Sequence, residues 1–364
     1  MRQSKIVIIG DAGSQHISSV AFELLKRGHR VVVVSGDRYR ARPEIEGVIY
    51  HYIKSDASWL RKALEVRRAV AHFAPDIVHS HYLTYGGVLA LLAGRHPHVA
   101  SVWGDDIWLD PGRSLLNRCL VRSVLRNADL LLPVSEHLRR RCLETSPDCA
   151  RAQVFQWGVD TALFRFDEKA RDAFRRRLGV GDDETLIFSP RALQPSYNHH
   201  LLLEAFGRFK PRGAKLLLKR FSVTPGYEEA LAQRAQELGI AAQVLWIESL
   251  PPAEMSEAFS AADLVVSLSV SDGAPVTVQE AMACSRVVLA ADTEGSRDWI
   301  KAGRTGFLTA LTVEAVTECL GQAFALHSGA KTTYEGNARA YIMDHADRKR
   351  CFDRLESIYE GLLH

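Results

Sequence analysis

No stretch of this sequence approaches the roughly 18 uninterrupted apolar residues that a membrane-spanning helix needs. The opening MRQSKIVIIGD runs straight into a strand-like segment, without the longer apolar region and small-residue cleavage site of a signal peptide, so a cytoplasmic protein is expected. There is no CxxC pair among the six cysteines (Cys119, Cys142, Cys149, Cys284, Cys319 and Cys351), which argues against zinc and against a disulfide framework and leaves reduced, mostly buried thiols. A repeat period is missing too. The composition is 47% hydrophobic and 24% charged, too ordinary for a disordered or fibrous chain.

What is present is length and an uneven charge. A chain of 364 residues is too long for one comfortable core, and two domains are the natural expectation. The net charge of +3 hides a basic segment, 113–177, with 14 Lys and Arg against 8 Asp and Glu. Within it Arg118, Arg122 and Arg126 recur every fourth residue of LLNRCLVRSVLRNADLL, while Leu116, Leu120 and Val124 fall on other faces of the same predicted helix. Such a helix either presents a solvated face or touches anionic lipid headgroups. No basic motif interleaved with aromatics appears, so nucleic acid is not an expected partner.

Both halves share one grammar. KIVIIG, HRVVVVSG, PDIVHSH, VASVWG and ADLLLPVS alternate with helical patterns, and TLIFSPR, AKLLLKR, AQVLWIES, LVVSLSVS and RVVLAAD repeat the scheme. Short apolar strands separated by helices imply a parallel sheet covered on both faces, hence two doubly wound α/β domains. The expected division is 1–165 and 166–343, with a hinge near Phe164 to Asp167. A last helix at 344–364 either closes the second domain or crosses back to the first. Ligands of this architecture bind at the carboxyl ends of strands, and two such domains facing each other would make a deep cleft. The residues just after strands are therefore the candidates: Gly10 to His16, His79 and His81, Trp103 to Asp106, Arg191, and Asp272 to Glu280.

SVSDGAPVTVQEAMACSRVVLAADTEGSRDWI resembles the fingerprint SxxEGxPxxxxEAMAxGxPV of the retaining family 4 glycosyltransferases. The resemblance continues through ELLKRGHRVVVVS, PDIVHSHY, VWGDDI, ADLLLPVS, WGVDTALF, PRALQPSYNHHLLLEAF and AGRTGFL, in the family's order and over most of the chain. It implies the GT-B architecture of two Rossmann-like domains, with the donor held mainly by the second half and the acceptor by the first. The sequence departs from the family where function sits. Asp272 stands in place of a Glu, Ser285 of a Gly, Val287 of a Pro and Asp298 of a Glu, and Tyr197 and Asn198 stand where Lys-Gly is usual.

A nucleoside-diphosphate sugar releases a diphosphate as charge builds on it, so the site needs fixed cations and donors. Arg191 can grip phosphate oxygens bidentately. With the family's Lys absent, Lys219 or Arg220, after the run AKLLL, is expected to supply the second charge. Backbone amides of Gly273, Ala274, Pro275 and Val276, where Pro lends only its carbonyl, line the turn before a helix. The resemblance gives Glu280 to the ribose hydroxyls. Asp272 is expected to hold the donor sugar and to stabilise the cationic sugar ring of the transition state.

On the first half, Gly13 and His16 are expected to touch the donor, and Trp103, His81 and Asp105 the acceptor. Trp103 stands where many relatives carry His and cannot take a proton. Asp105 remains able to orient an acceptor hydroxyl, with Asp106 adjacent. No metal-ligand spacing and no cofactor motif is found; the expected partners are a nucleotide sugar and a glycan or lipid-linked acceptor. A GT-B sugar epimerase or phosphorylase, and a non-catalytic sugar-nucleotide-binding subunit, stay open as alternatives. Donor base, sugar and linkage depend on pocket shape around Leu193 and 247–249.

Overall fold

The computed structural model describes residues 3–364 except Arg42, Arg95, 109–111, Arg113, Ala150 and His327, and describes Asp105 and Ser328 by backbone alone. The chain forms two compact units, residues 1–157 with 350–364, and 158–349.

The first unit is built on β1 (Lys5–Ile9), β2 (Arg30–Gly36), β3 (Ile49–Ile53), β4 (Ile77–His81), β5 (His98–Val102) and β6 (Leu130–Pro133). All pair in parallel in the order β3-β2-β1-β4-β5-β6. Its helices are α1 (Gln15–Lys26), α2 (Trp59–Phe73), α3 (Val88–Ala93), α4 (Asp105–Trp108), α5 (Leu115–Asn127) and α6 (Glu136–Thr145). Alternate strand residues serve opposite faces, as period 2 demands. Ile6, Ile8, Val31 and Val33 pack with Ile17, Val20 and Leu24 of α1, whereas Val7, Ile9, Val32 and Val34 pack with Val66 and Val70 of α2.

The second unit repeats the plan with β7 (Thr185–Ser189), β8 (Ala214–Arg220), β9 (Val244–Glu248), β10 (Leu264–Ser267), β11 (Val287–Ala291) and β12 (Phe307–Thr309), in the order β12-β11-β10-β7-β8-β9. Its helices are α7 (Glu168–Leu178), α8 (His199–Phe209), α9 (Tyr227–Glu237), α10 (Pro252–Ala261), α11 (Val276–Ala283), α12 (Glu294–Trp299), α13 (Val313–Phe324) and α14 (Ser328–His345). Both sheets thus have the same strand order, which reverses between β1 and β4 and between β7 and β10. Those two reversals are the switch points where doubly wound sheets leave a crevice.

The boundary falls earlier than the 165/166 division read from the sequence. Phe164 is buried in the second unit against Phe259, and the Val159 amide donates to the Ala346 carbonyl at 2.7 Å. Polarity suggested a hinge at 164–167, but Phe164 is a core residue and the linkage lies at Trp157 and Gly158. The last helix, α15 (Arg348–Leu363), belongs to the first unit from Arg350 onward. Phe352, Leu355 and Tyr359 join the core beneath β1 and β2, and Glu356 takes Arg27 at 2.8 Å and His29 at 2.9 Å. All six cysteines are free and only Cys119 is exposed. No helix among the described residues is long and apolar enough to cross a membrane.

Candidate active site

At the switch point of the second sheet, Arg191 follows β7 and Asp272 follows β10, so neighbouring strands deliver them to one place. Arg191 Nη2 lies 2.8 Å from Asp272 Oδ2, and Nη1 donates to Thr277 Oγ1 at 2.9 Å. The guanidinium also sits over the Tyr197 ring, 4.4 Å from its centroid. Tyr197, standing where relatives carry Lys, therefore holds Arg191 rather than adding a charge. Burial raises the Asp272 carboxyl from its usual value, opposed by the Arg191 guanidinium and by the nearby Ala274 amide.

The Asp272 turn is pinned from below by α12. A Cβ on Gly295 would stand 1.9 Å from the Asp272 carbonyl oxygen, so only glycine lets that helix approach. Gly273, Ala274 and Pro275 then lead into α11, whose N-terminus has no side-chain cap. Val276, its first residue, is 38% exposed.

Glu280, partly buried in the second turn of α11, makes no ion pair within 4.0 Å among the described residues. Burial pushes its carboxyl up to about 7, with Lys219, Arg348 and Arg191 drawing it down. Lys219 is only 8% exposed, yet among the described residues its Nζ meets nothing stronger than Met255 Sδ at 3.7 Å and the Phe221 ring at 5.0 Å. Burial lowers its pKa; Glu280 opposes that shift and Arg191 adds to it. Arg220, the other expected charge, is committed to Glu228 at 2.7 Å and Glu248 at 3.0 Å. Of the two candidates only Lys219 makes no ion pair within 4.0 Å among the described residues. Nearby His199, which opens α8, is fully buried with both ring nitrogens unpartnered, and burial brings its pKa down to about 4.

In the first unit the expected residues gather into an aromatic stack. His16, near the start of α1, lies 4.5 Å from Trp103, and Trp103 Nε1 donates to His81 Nδ1 at 3.3 Å. His81, the last residue of β4, stacks on His79 at 4.8 Å, and Trp157 lies parallel to Trp103 at 5.7 Å. Burial and the neighbouring His16 drop the His81 pKa to about 3, so this ring is neutral. Gly13 is exposed, its amide donating to Asp11 Oδ1 at 2.8 Å. The Asp105 side chain lies outside the described residues. Asp106 turns inward and is fully buried, accepting from the amides of Leu83, Trp103 and Gly104 at 2.9–3.2 Å, so it shapes the turn.

Thr277, Gly295, Trp157 and the stacking role of Tyr197 were not singled out by sequence reasoning. Only the Gly-containing loop after the fingerprint hinted at one of them. A cavity of about 230 Å³ lies elsewhere in the second unit, lined by Thr185, Leu264 and Val287 at the starts of β7, β10 and β11. It is thus at the amino edge of the sheet and contains none of the candidates.

Two doubly wound units of the same strand order, the second with Arg191 and Asp272 at its switch point and the buried Lys219 near the end of the adjacent β8, have the architecture of the GT-B glycosyltransferase class. Residues 170–325 match the model of the glycosyl transferases group 1, and residues 5–135 that of the glycosyl transferase 4-like domain. The chain belongs to this family of glycosyltransferases. It is 29% identical over 249 residues to the GDP-mannose-dependent alpha-(1-6)-phosphatidylinositol monomannoside mannosyltransferase of Mycolicibacterium smegmatis, an alignment that takes in 66% of this chain and 64% of that enzyme. A glycosyltransferase from Rickettsia africae shares the fold with a TM-score of 0.86 at 16% identity, over 100% of this chain and 99% of that one. HepE of Anabaena, solved with UDP and glucose, does so with a TM-score of 0.84 at 18% identity, over 99% and 100%.

Proposed function

We propose that the chain is a retaining glycosyltransferase that moves a sugar from a nucleoside-diphosphate sugar to a glycan or lipid-linked acceptor in cell-envelope synthesis. The single observation that carries the donor assignment is Lys219, an ammonium buried at the carboxyl end of β8 with no carboxylate at ion-pair distance among the described residues. An unpaired buried cation is costly to keep, and a diphosphate is the partner that would repay it. Arg191 gives the second phosphate contact, Glu280 accepts from the ribose hydroxyls, and Asp272 faces the sugar. The acceptor is assigned to the first unit, at Trp103, His81 and the 104–106 turn, with Gly13 and His16 reaching the donor.

In this reading the bond from the anomeric carbon to the phosphate oxygen breaks. The acceptor oxygen bonds to that carbon on the same face, and its proton passes to the departing phosphate. The protein supplies position and charge. No side chain is needed as nucleophile, which sets the site apart from a glycosidase pair. A thermal-shift screen of UDP-, GDP- and ADP-sugars followed by NMR of the product tests this. Stabilisation by one donor class and a product with the donor's anomeric configuration are expected. A donor class that stabilises without turnover, given a set of glycan and lipid acceptors, would favour the non-catalytic subunit.

The same proposal places the protein at the inner face of a membrane. On α5, Leu115 and Leu116 are 77% and 67% exposed beside the exposed Arg118. Arg122 and Arg126 are less free, donating to the Thr145 carbonyl at 3.1 Å and pairing with Asp148 at 2.9 Å. Flotation with vesicles of phosphatidylglycerol against phosphatidylcholine should show binding to the anionic ones only, lost when Leu115, Leu116 and Arg118 become Ser.

A further inference from the structure

We infer that Phe221 is the platform on which the nucleobase of the donor stacks. The inference deepens the donor reading above and rests on it. Phe221 is the first residue beyond β8, directly after Lys219 and Arg220, and it is 43% exposed. A single exposed aromatic is ordinary on a protein surface. This one is held in a braced loop. The Leu193 amide donates to the Phe221 carbonyl at 3.0 Å, and the Thr224 amide returns to the Leu193 carbonyl at 2.9 Å. Gln194 Nε2 donates to the Ser222 carbonyl and hydroxyl at 3.2 and 2.9 Å. Ser222 itself takes a left-handed φ of 46°, a conformation a non-glycine residue adopts only where its surroundings impose it.

The neighbourhood of this ring matches the parts of a nucleotide. Lys219 Nζ lies over the Phe221 ring at 5.0 Å, and the Lys219 and Glu280 charges act on each other. One buried cation, one carboxylate without an ion pair among the described residues and one exposed aromatic surface answer to phosphate, ribose hydroxyls and planar base. Stacking reads the π-face that every base has, so Phe221 would add affinity for nucleotides without choosing among them. Base choice would then fall to polar groups elsewhere on this edge.

The test is calorimetric titration of UDP, GDP, ADP and inorganic pyrophosphate into the full chain and its Phe221→Ala and Phe221→Trp variants. Phe221→Ala should weaken every nucleoside diphosphate that the wild type binds by about 5- to 100-fold, the range of base–aromatic stacking. It should leave pyrophosphate within about twofold, since that ligand has no base to stack. Phe221→Trp should restore nucleotide affinity, which also separates stacking from damage to the loop. The inference is overturned if Phe221→Ala binds the nucleoside diphosphates as the wild type does, or loses pyrophosphate in the same proportion. If the wild type binds no nucleoside diphosphate, the donor reading itself fails and this inference with it.

Discussion

Arg191 and Asp272, 81 residues apart in sequence, form an ion pair of 2.8 Å across the switch point of the second sheet. Each is nearly enclosed, with side chains 12% and 14% exposed. Arg191 must therefore be shared between this carboxylate and any phosphate that arrives. Asp272→Asn should leave binding of a nucleoside diphosphate unchanged or tighter, because the guanidinium is released. Turnover should fall by about 100-fold or more, the loss expected when one transition-state charge partner is removed. Calorimetry and initial rates on the same variant separate the two effects; equal losses in both would deny Asp272 a role at the sugar.

Glu280 predicts opposite pH trends for stability and for binding. Its carboxyl rises from 4.5 to about 7 in the folded protein, mainly through burial, so the folded state takes up a proton that the unfolded chain releases at lower pH. Stability is then greatest below pH 4.5 as far as this group is concerned, and is lost as pH rises through 7. Glu280→Gln should flatten that decline, with a melting temperature above the wild type at pH 8, each 1 kcal/mol appearing as about 2–4 °C. Nucleotide affinity should run the other way in the wild type, growing as the carboxylate ionises. A wild-type melting profile that matches the glutamine variant from pH 5 to 8 would refute the assignment.

Gly295 tests the support beneath the site. A methyl there meets the backbone of Asp272, which cannot swing aside as a side chain could. Gly295→Ala should destabilise by about 1–3 kcal/mol and lower kcat as the 272–276 turn is displaced. Gly336 in α14 is the control, since nothing lies within 4 Å of a Cβ built on it. Gly336→Ala should stabilise by about 0.5–1 kcal/mol. Urea melts of both variants give the comparison.

Ser285, between α11 and β11, has a φ of 56°, which explains why the family's glycine suits this place. Ser285→Gly should be neutral or stabilising by up to about 1 kcal/mol, the relief of left-handed strain offset by the flexibility of glycine in the unfolded chain. A loss of more than that would mean the serine side chain holds the turn.

Much of the fold was legible because the inner strands are apolar runs buried on both faces, HRVVVVSG and LVVSLSVS above all, and are followed by helical patterns; the edge strand β3, IYHYI, is only half-buried and was not read as a strand. The candidate residues were legible for the same reason, since the carboxyl ends of such strands are where side chains meet ligands. Their pairings were not. The contact of Arg191 with Asp272 needs β7 beside β10, a fact of strand order that local pattern does not carry. Nor could spacing tell that Arg220 would meet Glu228 and Glu248 while Lys219 made no ion pair among the described residues, because the two side chains leave β8 on opposite faces. Asp105 and Asp106 show the same limit: burial of Asp106 against three amides is invisible in DD. The boundary at Trp157 was missed because polar flanks outweighed one buried phenylalanine.

The most direct test of the donor assignment is Lys219→Met, measured for stability and for nucleotide binding together. A buried ammonium without a carboxylate partner burdens the fold, so the account predicts a higher melting temperature for the variant. It also predicts nucleoside-diphosphate affinity about 10- to 100-fold weaker, the worth of a charged hydrogen bond. A variant that melts lower than the wild type and binds nucleoside diphosphates equally well would show Lys219 to be structural, and would contradict the account.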